Sequence, residues 1–159
     1  MNRRNVALGI TAVMLSACSR SDGDASPAAA SSRKLPGVMV HKSEGCTCCE
    51  LWVEHVRAAG FTLQVQEVSN MAATKERMGV PPAMGSCHTA EVDGYFIEGH
   101  VPVADMLRLL DQRPDARGLA VPGMPLGSPG MEVPGQNQPY EVLLVARDGT
   151  SSVFARHGG

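Results

Sequence analysis

The sequence is poor in aromatic residues, with one Trp, two Tyr and three Phe in 159 positions. It carries no excess of either charge: 14 Lys and Arg stand against 16 Asp and Glu, with no basic stripe, which argues against nucleic acid as a partner. Beyond Leu15 no apolar run is long enough for a transmembrane helix. Cysteine is also scarce, five in all, yet three of the five fall within four positions, as EGCTCCELW over residues 44–52. That crowding of Cys46, Cys48 and Cys49 is the main chemical signal of the chain.

The N-terminus indicates the compartment in which those thiols work. Met1-Asn2-Arg3-Arg4 is a short basic start, and Val6 to Leu15 is an apolar run of about ten residues, the length of a signal-peptide core. It ends in Leu15-Ser16-Ala17-Cys18, which resembles the lipobox of bacterial lipoproteins. The resemblance implies cleavage before Cys18, a lipid on its thiol, and a membrane partner through that anchor. Ser19 after the lipidated cysteine implies the periplasmic face of the outer membrane. SRSDGDASPAAASS, residues 19–32, is small and polar with nothing to bury, a flexible tether spanning roughly 20–23 Å. The division is therefore residues 1–17 signal peptide, 18–34 lipidated cysteine and tether, and 35–157 one folded domain of modest core.

Within that domain Leu35 to His41 predicts a buried strand, and Glu50 to Ala59 a helix stopped by Gly60. Phe61 to Val68 alternates as a second strand, and Met71 to Met78 forms a short helix before Gly79. Asp93-Gly94 between two β-like runs marks a two-residue hairpin. Val103 to Asp111 reads as a helix. Gly118 to Pro139 is a Gly/Pro-rich loop, and Tyr140 to Ala146 with Val153 to Arg156 suggests a final hairpin. The order strand, helix, strand, helix, hairpin, helix is that of an α/β thioredoxin-like fold, and the cysteines fall where that fold puts its redox pair. By the same analogy Pro81, just before the hairpin, is the expected cis-proline.

Cys46, Cys48, Cys49 and Cys87 remain after Cys18 is set aside. A Cys46–Cys49 bridge is feasible, whereas a Cys48–Cys49 bridge closes a strained ring across adjacent residues. Were the clustered thiols all ionised, like charges about 4 Å apart would repel by roughly 4 kcal/mol per pair at an effective dielectric of 20. A helix N-terminus offers only about 0.3–1 kcal/mol against this. The cluster therefore needs protons, a disulfide or cations. A metal supplies charge and deprotonates the thiols. One Zn²⁺ held by Cys46, Cys49, Cys87 and His88 is one solution. Adjacent Cys48 and Cys49 more naturally bind or bridge different ions. With Met124 and Met131 on the loop and His88 and His100 near Cys87, the set of thiolate, thioether and imidazole suits Cu(I). For the two methionines, ligation and packing stand equal. His55 reads as structural, Trp52 as core and His157 as incidental.

HKSEGCTCCELWVEHV, GVPPAMGSCHTAEVDGYFIEGHVP and GLAVPGMPLGSPGM resemble the blocks of the CopG-type family of exported copper-resistance and metal-binding proteins. The resemblance runs from about residue 37 to the C-terminus. It implies a thioredoxin-like fold that binds several copper ions in a cysteine-bridged cluster, with a redox role toward copper. It implies Cys46, Cys48, Cys49 and Cys87 as the cluster sulfurs, and places His88, His100, Met124 and Met131 at family-motif positions. Other periplasmic copper-handling proteins are the implied protein partners. His41 departs from the pattern, since members often carry tyrosine there, so no role transfers to it. Two rival functions stay open: a thiol–disulfide oxidoreductase using Cys46 and Cys49, and a structural zinc module.

Overall fold

A computed structural model describes residues 34–158; the expected signal peptide, Cys18 and the tether up to residue 33 lie outside the described residues. The described residues form a mixed α/β domain of seven strands and three helices. In order these are β1 (Gly37–Lys42), α1 (Thr47–Ala58), β2 (Thr62–Glu67), α2 (Met71–Met78), β3 (His88–Val92), β4 (Tyr95–Glu98), α3 (Val103–Gln112), β5 (Ala116–Ala120), β6 (Tyr140–Ala146) and β7 (Ser151–His157). All strands join one sheet in the order β2-β1-β3-β4-β5-β6-β7. β1 runs parallel to β2 and antiparallel to β3, and β4 runs parallel to β5. Among the described residues no helix is long and apolar enough to cross a membrane.

Strand alternation divides the core into two faces. Val38, Val40, Ala90, Val92, Ile97, Leu119 and Val142 pack with Trp52, Val53 and Val56 of α1 and Met106 and Leu109 of α3. Phe96, Ala120 and Val145 point the other way and meet Val80, Met78 and Met84. Few aromatics are needed because β-branched residues fill the sheet faces. α1 buries Trp52, Val53 and Val56 but leaves Leu51 44% exposed, so the apolar face is narrower than the sequence suggests.

Two expectations need correction. Gly118 opens the loop in the sequence reading, yet it lies inside β5, paired with Phe96. A Cβ there would fall 2.0 Å from the Phe96 carbonyl oxygen, so the parallel register requires glycine at this position. Pro81 is not cis, since none of the described peptide bonds is. It has φ −63° and ψ 140° and leads into a 3-10 turn at Pro82–Met84, with Pro82 at the first turn position and Met84 N–H donating to the Pro81 carbonyl at 2.9 Å. That turn and Gly85-Ser86-Cys87 separate Pro81 from β3. The residue immediately before β3 is Cys87.

Candidate metal centre

Cys46 caps α1, and Cys48 and Cys49 occupy its first turn. The helix therefore begins three residues earlier than the apolar periodicity indicates, because Gly45 at φ 71° turns the chain and Cys46 N–H reaches the Ser43 carbonyl. Cys46 and Cys49 are joined by a disulfide. Cys49 is fully buried, whereas Cys48 and Cys87 are half-buried free thiols. Cys48 Sγ lies 3.7 Å from Cys46 Sγ and 3.8 Å from Cys87 Sγ. The third cysteine thus links the helix pair to the thiol delivered by β3.

Cys87 faces two histidines. Its Sγ is 3.3 Å from His88 Nδ1 and 3.0 Å from His100 Nε2. Adjacent residues within a strand would face opposite ways, but Cys87 lies just outside β3 and so can turn toward His88. His100 stands in the β4–α3 connection and is fully buried. Its Nδ1–H donates to the Pro129 carbonyl at 2.8 Å, which leaves the Nε2 lone pair toward Cys87. His88 is buried beneath the Trp52 ring, 4.5 Å between centroids, and its Nε2 has no hydrogen-bond partner.

The electrostatics follow from burial. Burial, with His100 next, takes His88 down to about 3. Burial also lowers His100, against the opposing pull of the Pro129 carbonyl. Both imidazoles are therefore neutral ligands-in-waiting. Burial, and then the neighbouring Cys48 sulfur, push the Cys87 thiol up to about 12. Without a cation Cys87 stays protonated, as the repulsion between clustered thiolates requires.

The residues fit a soft metal. The four sulfurs of Cys46, Cys48, Cys49 and Cys87 lie within 4.8 Å of one another, and so do the donor atoms of Cys87, His88 and His100. In the second set His88 presents Nδ1, the nitrogen 3.3 Å from Cys87 Sγ, and not its unpartnered Nε2. A thiolate and imidazole set of this kind is chemically suited to Cu(I) or Zn²⁺. With the disulfide closed, Cys46 and Cys49 offer no thiolate.

The Gly/Pro loop reaches the centre through glycines next to each methionine. Gly130 lies on Cys48 and Trp52, and Gly123 N–H donates to the Gly85 carbonyl at 3.1 Å while its own carbonyl accepts from the Ser86 hydroxyl. Met131 and Met124 each follow one of these anchors. Met124 is 51% exposed, so its thioether is not packed as core.

Several residues lie away from the sulfur cluster. His41 is buried on the face opposite Val40, beside Thr89. His55 pairs with Glu132 at 2.8 Å and fastens the loop to α1, in keeping with a structural role. His157, read as incidental, instead bonds Asp105 at 2.6 Å and stacks on Tyr140. Glu98 went unrecognised. It is fully buried and accepts from Ser86 N–H at 2.5 Å, from Thr89 Oγ1 at 2.5 Å and from Lys75 Nζ. One signal was available, a carboxylate within the apolar run Tyr95-Phe96-Ile97-Glu98.

A family model described as "Protein of unknown function, DUF411" matches residues 84–131, the segment that contains Cys87, His88, His100, Met124 and Met131. Two solved structures are similar to this chain. "Copper resistance protein copG- Form 2" shares 46% identity at TM-score 0.74, covering 77% of this chain and 98% of that one. "Copper resistance protein copG- Form 1" shares 46% identity at TM-score 0.75, covering 79% and 99%. No curated protein matches.

Proposed function

Because the chain belongs to the CopG-type copper-resistance family, we propose that it captures copper for copper resistance, holding Cu(I) in a cysteine-bridged polynuclear site. The observation that carries this reading is the convergence of four sulfurs within 4.8 Å, with two imidazoles on the shared Cys87. Cys48 and Cys49 are adjacent in the chain and do not easily chelate one ion together, which favours bridging of several ions over chelation of one. Met124 and Met131 are the proposed outer thioether ligands.

The domain is read as thioredoxin-like. Supporting this are the order β1-α1-β2-α2-β3-β4-α3, the antiparallel β3 between β1 and β4, and the cysteines at the start of α1. β5 and the β6–β7 hairpin extend that unit. The chain is further proposed to be exported and lipid-anchored at Cys18, on the periplasmic face of the outer membrane. Membrane fractionation tests this: Cys18→Ser should move the chain to the soluble fraction.

Redox work with copper has a balanced form here. The Cys46 and Cys49 thiolates each lose one electron and join as the disulfide, while two Cu(II) each gain one and become Cu(I). The observed Cys46–Cys49 bond also favours a second reading, a thiol–disulfide oxidoreductase. The copper content of the reduced full chain separates the two. More than one Cu(I) per chain, falling on Cys48→Ser, is expected. Less than one, with disulfide exchange undiminished in Cys48→Ser, would replace the copper reading by the second.

A further inference from the structure

β5 is irregular at one residue. Ala116 pairs with Ala146 and Gly118 with Val145, so Arg117 is the extra residue of a bulge against β6. In a regular strand Arg117 would share a face with Leu119, in the main core. The bulge turns its side chain to the face that carries Val80 and Ala120. There its Nη1–H donates to the Gly79 carbonyl at 3.3 Å, at the end of α2, and its Nε–H to the Arg147 carbonyl at 2.8 Å. Glycine is required for this approach. Residue 79 has φ 74°, and a Cβ on it would lie 2.7 Å from Arg117 Nη1.

Arg117 so placed borders a cavity of about 330 Å³. Arg77, in the last turn of α2, and Arg147, in the β6–β7 turn, line the same cavity. We propose that this cavity is a phosphate-binding site, in which the three guanidiniums, one from each of three elements, donate to the oxygens of a phosphate monoester. None of the three belongs to the sulfur and imidazole donor sets, so the site stands apart from the copper reading.

The charge is available. A guanidinium has five N–H donors, and the two carbonyls take only two of those on Arg117. A neutral carbonyl orients the group without cancelling its charge. Arg77 meets only the Thr74 hydroxyl, at 3.5 Å, so among the described residues neither of these two arginines has a carboxylate partner. Arg147 pairs with Asp115 through Nε alone, at 3.0 Å, which leaves its Nη groups for a ligand. Asp148 spends its carboxylate on the Thr150 N–H and hydroxyl, at 2.9 and 2.7 Å. The carbonyl end of α2 adds only about half a negative charge, and Arg117 covers one of its carbonyls. Glu91 is the one carboxylate lining the cavity, and its charge opposes an anion. Three forks from three directions match the three free oxygens of a phosphate monoester, whereas a carboxylate offers two.

The test is calorimetric titration of the full, copper-free chain with inorganic phosphate, against chloride at equal ionic strength. One saturable site is expected. Arg77→Gln combined with Arg147→Gln should weaken it by roughly tenfold or more, since two of three charge-assisted contacts go. Both side chains are exposed, so the unfolding midpoint in phosphate-free buffer should not move. Glu91→Gln should tighten phosphate binding by about threefold, through loss of an exposed like charge. If the double variant folds poorly, Arg77→Gln and Glu91→Gln alone carry the test through their opposite shifts. Vesicle sedimentation then distinguishes the sources, with Cys18→Ser in every chain to exclude the expected anchor. Binding to phosphatidic acid over phosphatidylcholine, lost with the two arginines, assigns a lipid headgroup. Phosphate binding without that preference assigns a soluble phosphate ester. No saturable phosphate binding, or binding that the arginine and Glu91 variants leave unchanged, overturns the proposal.

Discussion

Gly130 rests on the backbone of Cys48: a Cβ at residue 130 would stand 2.7 Å from the Cys48 carbonyl oxygen and 2.8 Å from the Trp52 nitrogen. The Gly/Pro loop therefore closes against the helix turn that bears the cysteines, backbone to backbone. One residue earlier, Pro129 holds His100. Loop and centre form one packed unit, and the consequences can be measured.

Gly130→Ala meets two obstacles, a φ of 85° and a contact with backbone that cannot rotate away. A loss of about 1–3 kcal/mol is expected from the strained residue alone. The loop should lift and release His100, so Cu(I) affinity should fall as well. Urea denaturation and competition with a Cu(I) chelator check both effects. Unchanged values in the two assays would mean that the loop does not secure the site.

Glu98→Gln leaves Lys75 facing a neutral partner. Removing one member of a buried ion pair costs about 3–5 kcal/mol. The loss here should be at the lower end or beneath it, because the Lys75 side chain keeps 15% exposure. Ser86 also loses a charged acceptor next to Cys87, so copper binding should weaken. Lys75→Met combined with Glu98→Leu should be less destabilised than Glu98→Gln, since no lone charge stays behind. Denaturation midpoints for the three proteins decide it, and a double variant less stable than Glu98→Gln would refute the argument.

Trp52 fills the core beneath His88 and donates its Nε1–H to the Val101 carbonyl at 2.9 Å. Trp52→Phe keeps an aromatic ring but leaves that buried carbonyl unpaired, at a cost of about 1–3 kcal/mol. Trp52→Ala should lose about 3–5 kcal/mol by opening a cavity. Thermal unfolding of the two variants should rank them in that order, and an inverted order would contradict it.

Metal removal should leave the fold standing. The main core joins β1, β3, β4 and β5 to α1 and α3 through Val, Ile, Leu and Met side chains, without any of the four cluster cysteines. After chelation under reducing conditions, circular dichroism should retain its helix and strand signal and unfolding should stay cooperative. Collapse to an unfolded chain would instead mark a structural zinc module, whose folding free energy is metal binding.

Much of the fold was legible because local chemistry and tertiary packing agree. Met71–Met78 ends at Gly79, which adopts φ 74°, and Asp93-Gly94 turns the hairpin as two-residue turns do. The C-terminal hairpin also lies where Tyr140 to Ala146 and Val153 to Arg156 suggest it. β5 was not legible, because Ala116–Ala120 contains Gly118 and no β-branched or aromatic residue, and its strand state depends on Phe96 lying alongside. The Pro81 expectation failed for a related reason. Proline position in a sequence does not reveal whether a strand begins at once or after an intervening turn.

By itself the sequence determined which donors exist. Three thiols within four positions, a fourth beside a histidine, and a second histidine after the hairpin restrict the chemistry to soft-metal or disulfide states. That restriction follows from thiolate repulsion and ligand softness, which need no fold. Only the tertiary structure decided that Cys87 is shared. β3 and the β4–α3 connection bring its sulfur within 3.8 Å of Cys48 and 3.0 Å of His100, across 39 and 13 residues of sequence. Such separations are closed by sheet pairing and core burial, so which sulfur meets which imidazole is decided by packing.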